Sequence, residues 1–170
     1  MRKSAALIGT ITLGLFASAA SADPVERGYQ AQSNAVQGKF LAGAALFGQS
    51  IDDARGHKIM GEVVHLGRGC NRDTYPADPA GKVALVARGT CAFTEKVAKA
   101  QAAGAIAVIA YNNTGDEVMA MVPPAGFRDT INIPSAFVGR SHARAMIDAA
   151  KPVTIQVKDK TRDKLETREE

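Results

Sequence analysis

Residue types that commonly catalyse reactions or hold metals are few in this chain, and their spacing matches no known catalytic motif. The three histidines, His57, His65 and His142, do not form an H-E-x-x-H or similar metal-binding spacing. Neither Ser135 nor Ser141 lies in a G-x-S-x-G motif, and neither has a neighbouring base in the sequence. We therefore expect no catalytic residues, although a Ser-His-Asp cluster formed only in three dimensions remains an open alternative.

Two further patterns contain residue types that can bind ligands. Asp52 and Asp53 precede His57 and could hold a cation, but two adjacent carboxylates alone do not make a calcium loop, so an exposed acidic turn is the favoured interpretation. The segment Arg88-Gly89-Thr90-Cys91 is too short for a phosphate-binding loop. We therefore expect no metal and no cofactor.

Residues 1–22 have the pattern of a secretory signal peptide. Arg2 and Lys3 precede an uncharged apolar run from Ala5 to Phe16, and Ala20-Ser21-Ala22 provides the small-x-small pattern that precedes cleavage. The alternative is an uncleaved membrane anchor, but the run is shorter than the roughly 20 residues of a spanning helix. The sequence therefore predicts an exported protein, periplasmic or extracellular, with no stable membrane insertion after cleavage.

Composition argues against a nucleic-acid partner. Removing Arg2 and Lys3 from the 21 basic residues leaves 19 against 17 acidic ones, so the net charge of +4 falls to +2. Aromatic residues make up 5% of the chain and Trp is absent, so stacking platforms for bases or sugars are scarce.

The two cysteines, Cys70 and Cys91, are candidates for a disulfide. An even number of cysteines in an exported chain is typical of disulfide bonding. The alternative is a catalytic or metal-binding pair, but the spacing is not C-x-x-C and no histidine is near either cysteine in the sequence.

Residues 82–111 predict a strand, a helix and a second strand. Val83–Ala87 and Ala105–Tyr111 are apolar runs typical of strands buried on both faces. A crossover helix of this length normally joins parallel strands with right-handed topology.

The helix between these strands has one apolar stripe, formed by Phe93, Val97, Ala100 and Gly104. Thr90 is predicted to cap its start and Gly104 to end it in a left-handed conformation. The remaining surface is assigned to four polar residues: Glu95, Lys96, Lys99 and Gln101. Glu95 and Lys99 are four residues apart and suited to an ion pair.

The same region carries a long ordered motif that continues into a later strand: Arg88-Gly89-x-Cys91-x-Phe93-x-x-Lys96-Val97, then Ala100-x-x-Ala103-Gly104-Ala105-x-Ala107-Val108-Ile109, Tyr111-Asn112 and Ile133-Pro134-Ser135. The motif resembles the signature of the protease-associated (PA) domain family over roughly residues 44–157. The resemblance implies an α/β fold, a partly closed β-barrel or sandwich of about six to seven strands flanked by two helices, with the parallel strand-helix-strand unit at 82–111. It also supports the Cys70–Cys91 pairing, and it implies a non-catalytic domain that binds peptides or proteins or gates substrate access.

The chain therefore divides into a signal peptide at 1–22, a polar N-terminal arm at 23–40, a PA-like domain at 41–157 and a charged, disordered tail at 158–170. Within the domain, Ser141 is predicted to cap a second helix. Four further strands are expected at Leu41–Phe47, Ile59–Leu66, Ile131–Val138 and Val153–Val157.

Residues 114–128 form a long predicted loop that contains Met119, Met121 and Phe127. The favoured interpretation is that these apolar residues pack against the barrel. The alternative is a flexible contact surface for a partner peptide.

The candidate binding site follows from topology. In α/β sheets, ligands tend to bind beyond the carboxyl ends of parallel strands. One positive charge and several amide and hydroxyl groups lie there, and they suit a peptide backbone or carboxylate. The candidate residues are Arg88, Gly89, Thr90, Asn112 and Asn113, with a structural role for Arg88 and Asn112 as the alternative.

The sequence thus favours an exported, non-catalytic PA-type module that binds a protein or peptide and modulates or presents substrates to a protease in trans. The alternatives are a small secreted hydrolase on the same scaffold and a structural envelope protein.

Overall fold

The computed structural model describes residues 29–128, 130–150 and 152–159. Seven strands form one closed barrel in the order β1-β2-β6-β5-β4-β3-β7. The strands are β1 (Tyr29–Ser33), β2 (Lys39–Ala44), β3 (Lys58–His65), β4 (Val83–Ala87), β5 (Ala107–Tyr111), β6 (Ser135–Val138) and β7 (Thr154–Asp159). The two α-helices are α1 (Phe93–Ala102) and α2 (Arg140–Ile147), and a short 3-10 turn spans Arg55–His57. The predicted α/β barrel with two helices is confirmed.

The barrel is mixed in strand direction. Strands β3, β4, β5 and β6 are mutually parallel, whereas β1, β2 and β7 join them and one another through antiparallel pairs. The predicted strand-helix-strand unit is confirmed, because Val83–Ala87 pairs in parallel with Ala107–Tyr111 and α1 connects the two strands.

Two hydrophobic clusters explain why β4 and β5 are apolar throughout. Val83, Leu85 and Ile109 belong to the cluster inside the barrel. Their neighbours Val86 and Val108 belong to a second cluster between the barrel wall and α1. Side chains alternate between the two faces of a strand, so both faces of this parallel pair are buried and both must be apolar.

The expectation of a polar arm at 23–40 is wrong for residues 29–40. Tyr29–Ser33 is a barrel strand that pairs with both β2 and β7. Tyr29, Ala31 and Ser33 are buried while the residues between them face outward, an alternation that small and amide side chains concealed. Residues 1–28, which include the predicted signal peptide and the first part of the predicted arm, lie outside the described part of the chain.

Several predicted boundaries also shift. The strand expected at 41–47 is β2 at Lys39–Ala44, and the strand expected at 131–138 begins only at Ser135, after Pro134. Strand β7 reaches Asp159, so the expected tail does not begin at 158. The residues after Asp159 lie outside the described part.

Packing of the 114–128 loop against the barrel is confirmed. Met121 is fully buried and forms an isolated parallel bridge with Ala45, while Met119 and Phe127 are partly buried against the cluster beneath α1.

Both helix starts differ from prediction. The residue that precedes α1 is Ala92, and Thr90 has a φ of 72°, so it does not cap the helix. Gly139 precedes α2, and the main-chain N–H of Ser141 donates to Asp116 Oδ1 at 2.6 Å, so a carboxylate from the 114–128 loop fills the capping role. The left-handed Gly104 after α1 is confirmed, with a φ of 84°.

The surface assignment of Lys96 and Lys99 is wrong, because both side chains bind the connector between β3 and β4. Lys96 is fully buried, and its Nζ donates to the carbonyl oxygen of Arg68 and lies 3.5 Å from Cys70 Sγ. Lys99 Nζ donates to the carbonyl oxygens of Cys70, at 2.7 Å, and of Asp73. The expected Glu95–Lys99 pair is replaced by these contacts.

The Cys70–Cys91 disulfide is confirmed, with an S–S distance of 2.06 Å. It joins the same connector to the short segment that leads into α1. Glu95 Oε1 adds a hydrogen bond from the N–H of Asn71 at 2.8 Å. The connector has little regular structure, but these contacts hold it to α1 at several points.

Replacing Ala100 by Leu should destabilise the protein. Ala100 is completely buried on the inner face of α1, so the added methylenes would force the helix away from the sheet at a cost of about 1–3 kcal/mol. The control is Ala102→Leu on the exposed face of the same helix, which should change the free energy of unfolding by less than about 0.5 kcal/mol. Denaturant unfolding of both variants tests this, and equal losses would contradict the packing argument.

Removing the disulfide should also destabilise the protein. The bridge closes a loop with a sequence separation of 21 residues. Chain entropy predicts a loss of about 3 kcal/mol for the Cys70→Ser, Cys91→Ser double variant. Intact-mass analysis of denatured protein should show two alkylatable thiols only after reduction. Two free thiols in protein folded under oxidising conditions would refute the bridge.

Candidate functional site

The residues predicted to form a site lie together at one end of the barrel. Arg88 and Gly89 follow β4, and Asn112 and Asn113 follow β5, its parallel neighbour. The main-chain N–H of Arg88 donates to the carbonyl oxygen of Tyr111 at 2.8 Å, which continues the ladder between the strands by one more bond. Arg88 Nη1 also donates to Asn112 Oδ1 at 3.4 Å. The structure therefore brings the two predicted segments into contact.

The contacts of Asn112 favour a structural role. Its side chain is buried, and its Nδ2 donates to the carbonyl oxygen of Glu117 at 3.1 Å. Its Oδ1 accepts from both the N–H and the hydroxyl of Thr114, in addition to Arg88. The amide thus holds the turn that follows β5 and orients the guanidinium of Arg88. Both of its polar atoms are already hydrogen-bonded, so Asn112 offers little to a ligand.

Arg88 and Gly89 line an open groove of about 350 Å³. Arg88 is half-buried, so its guanidinium combines a defined position with access to solvent. The other lining residues are mostly apolar: Cys91, Ala92, Phe93, Val122, Pro123 and Pro124. The groove therefore offers one fixed cation beside an apolar wall. Thr90 and Asn113 are exposed next to it but do not line it.

Sequence reasoning missed the wall of this groove at Val122, Pro123 and Pro124. The wall is positioned by Met121, whose N–H donates to the carbonyl of Ala44 and whose carbonyl accepts from the N–H of Leu46, both at 2.9 Å. With Met121 buried as the anchor, Val122 points outward and is 62% exposed. The local signal that the sequence offers for this wall is a valine followed by two prolines.

A histidine–tyrosine contact joins the ends of two parallel strands, β3 and β5, that flank β4. His65, the last residue of β3, has its Nε2 3.2 Å from the phenolic oxygen of Tyr111, the last residue of β5. Burial, assisted by the charge of Arg144, lowers the pKa of His65. Burial also raises the pKa of Tyr111, with Arg144 and Arg140 opposing the effect. At neutral pH, therefore, a neutral imidazole faces a neutral phenol.

The other histidines lie elsewhere and have different partners. His57 Nδ1 contacts the carbonyl oxygen of Asp52 on the 3-10 turn, and the ring of His142 stacks on Phe40 with centroids 4.3 Å apart. Ser135 Oγ is buried, and within the described residues it has no hydrogen-bond partner. The contacts of the three histidines thus do not include a serine hydroxyl in the described part of the chain.

The potential metal ligands in two clusters already have other partners. Asp52 Oδ2 accepts from the Tyr29 hydroxyl at 3.0 Å, and Asp53 Oδ2 accepts from Ser50 Oγ at 2.8 Å, so the two carboxylates have separate partners. Glu95 lies close to the sulfurs of Cys70 and Cys91. Those sulfurs are joined as a disulfide and supply no thiolate ligand.

The pKa of His65 predicts an acid-dependent loss of stability. Because the folded-state pKa lies below 6.5, the unfolded chain binds the proton more tightly. The free energy of unfolding should therefore fall as the pH drops through 6.5 toward the folded-state pKa, and stay insensitive to this group above 6.5. His65→Gln should make that fall shallower in denaturant titrations between pH 8 and 5. The control variant His57→Gln keeps His65 and its surroundings, so it should retain the steeper fall. Parallel curves for the parent and His65→Gln would contradict this.

Comparison with known proteins agrees with the architecture. A family model described as PA domain matches residues 59–146. The structure resembles an aminopeptidase from Aneurinibacillus sp. strain AM-1, with a TM-score of 0.59 and 26% identity over 81% of this chain and 31% of that one. In the part of the chain that the structure describes, no helix has the length and hydropathy of a membrane span.

Two curated relatives are also proteases by name. Leucine aminopeptidase 2 of Trichophyton rubrum is 53% identical over 57 residues, which cover 33% of this chain and 12% of the relative. The minor extracellular protease Vpr of Bacillus subtilis is 45% identical over 62 residues, which cover 36% of this chain and 8% of the relative. The matched region is thus a small fraction of each relative. Because the family model spans more than half of this sequence and the barrel agrees with it, the chain belongs to the PA domain family.

Proposed function

We propose that this chain is an exported PA-type binding module that holds an extended peptide segment of a protease or of its substrate in the groove beside Arg88. The observation that carries the proposal is the placement of one half-buried guanidinium at the edge of an open groove whose other wall is apolar. A guanidinium has five N–H donors and recognises carboxylates and carbonyl oxygens well.

The contacts of Arg88 favour binding by a preorganised group. Its main chain is fixed to Tyr111, and one of its side-chain nitrogens is held by Asn112 at 3.4 Å. The remaining donors would be available to a peptide carboxylate or carbonyl in the groove. A group that is already ordered loses less conformational entropy on binding, so the same contacts yield a tighter complex.

The apolar wall supplies the second half of the recognition. Val122 is 62% exposed and lies across the groove from the segment that carries Cys91, Ala92 and Phe93. The disulfide at Cys91 and the buried anchor at Met121 hold the two sides of the groove. An apolar peptide side chain would bury surface here while its main chain contacts Arg88.

A non-catalytic role in trans is supported by two observations. The contact between His65 and Tyr111 joins an imidazole to a phenol whose pKa is raised, which makes the phenol a poor nucleophile. The relatives named as aminopeptidases and proteases match this chain over only a small part of their length. Export is supported by the signal-like pattern at residues 1–22 and by the name of the extracellular relative.

Arg88→Ala and Val122→Asp should each weaken peptide binding about tenfold or more, since each removes one half of the recognition. Binding is measured by fluorescence anisotropy with a library of labelled extended peptides, made with free and with amidated carboxyl ends. The control is Arg72→Ala, an exposed arginine on the β3–β4 connector that does not line the groove. The denaturant midpoint of Arg88→Ala should stay close to that of the parent.

Two results would overturn the proposal. If peptide affinity is unchanged in Arg88→Ala and Val122→Asp, the groove is not the site. If midpoint and affinity fall together in Arg88→Ala, the residue is structural. The hydrolase alternative is tested separately with peptide, ester and glycan substrates, and turnover that disappears on serine or histidine substitution would replace the binding role with a catalytic one.

A further inference from the structure

The opposite end of the barrel carries a free sheet edge. Strand β3 begins at Lys58, but β4 begins only at Val83, which lies opposite Val63. The first five residues of β3 therefore extend beyond the end of its parallel neighbour. On its other side, β3 is paired with β7 along this whole length.

The hydrogen-bond pattern shows which main-chain groups face the free side. The N–H of Val63 donates to the carbonyl of Val153 at 2.7 Å, and bonded residues alternate along an antiparallel pair, so Ile59 and Gly61 also bond toward β7. Lys58 and Met60 direct their N–H and C=O groups away from β7. In the described part of the chain, no strand pairs with β3 there. Met60 thus presents one unpaired donor and one unpaired acceptor.

The free edge lies in a groove of about 490 Å³. Two of its walls are apolar, because Met60 is 58% exposed and Ile106, just before β5, is 44% exposed. Arg55 and Lys58 add two cations to its lining, whereas its lining residues include no carboxylate. Gln49 closes the far side through an isolated bridge to Pro134.

We propose that this edge binds an extended acidic peptide segment as an added strand. The segment's main chain would bond to the N–H and C=O of Met60. One of its side chains would cover Met60 and Ile106, and its carboxylates would lie near Arg55 and Lys58. A second copy of this chain fits less well, because pairing two such edges would bring their cations together.

This surface is independent of the groove beside Arg88. It lies at the amino ends of the parallel strands, and Arg88 lies beyond their carboxyl ends. The two grooves share no lining residue. Loss of one binding activity therefore leaves the other testable.

The test uses two labelled six-residue probes, one alternating valine with glutamate and one alternating valine with lysine. The acidic probe should bind saturably in fluorescence anisotropy and weaken with rising salt. The Arg55→Glu, Lys58→Glu double variant should bind it at least tenfold more weakly. Arg72→Glu, which changes an exposed charge outside the groove, is the matched control and should bind normally.

Main-chain pairing has its own readout. Hydrogen exchange should show the Met60 amide protected by the acidic probe, while the Ile59 amide, already bonded to β7, changes little. Methylating alternate nitrogens of the probe should abolish binding. The proposal fails if the acidic probe does not bind, if the lysine probe binds equally well, or if bound probe leaves the Met60 amide unprotected.

Discussion

The parallel pair β4 and β5 must be covered on both faces, and the remaining elements are arranged to satisfy that constraint. Four consecutive residues of β4 and all five of β5 are buried. One face is covered by closing the sheet into a barrel, and the other by a helix with a small-residue inner face, where Ala100 permits close approach. Once α1 is placed in this way, the ends of both strands are set, and with them the position of Arg88 between Tyr111 and Asn112.

Helix α1 is held to the β3–β4 connector by the disulfide and by the side chains of Lys96 and Lys99. Lys96 is fully buried, and its ammonium is compensated mainly by neutral acceptors, the carbonyl of Arg68 and a sulfur of the disulfide. Burial lowers the pKa of Lys96, and Asp73 and Glu95 partly oppose that shift. A buried charge is costly unless it is hydrogen-bonded. The fold therefore requires the contacts between Lys96 and the connector.

How much could be predicted depended on how local the signal was. The runs at Val83–Ala87 and Ala107–Tyr111 show their two-sided burial in their own composition, so the central unit was predictable. Strand β1 was missed because glutamine and alanine alternate there without a strong contrast. Lys96 was misassigned because lysine is rarely buried, and only carbonyls distant in sequence explain it. The wall at Val122 depends on the bridge between Met121 and Ala45, which no local pattern reveals.

The first and last strands of the barrel are neighbours, and Tyr29 pairs directly with Asp159. The chain therefore enters and leaves the domain at nearly the same point. A unit of this kind behaves as a cassette: a host protein can accept it within a surface loop without separating the two ends of that loop. Such a geometry allows the same barrel to be inserted into otherwise unrelated polypeptides. Its core is closed on itself and therefore does not depend on contacts with the host.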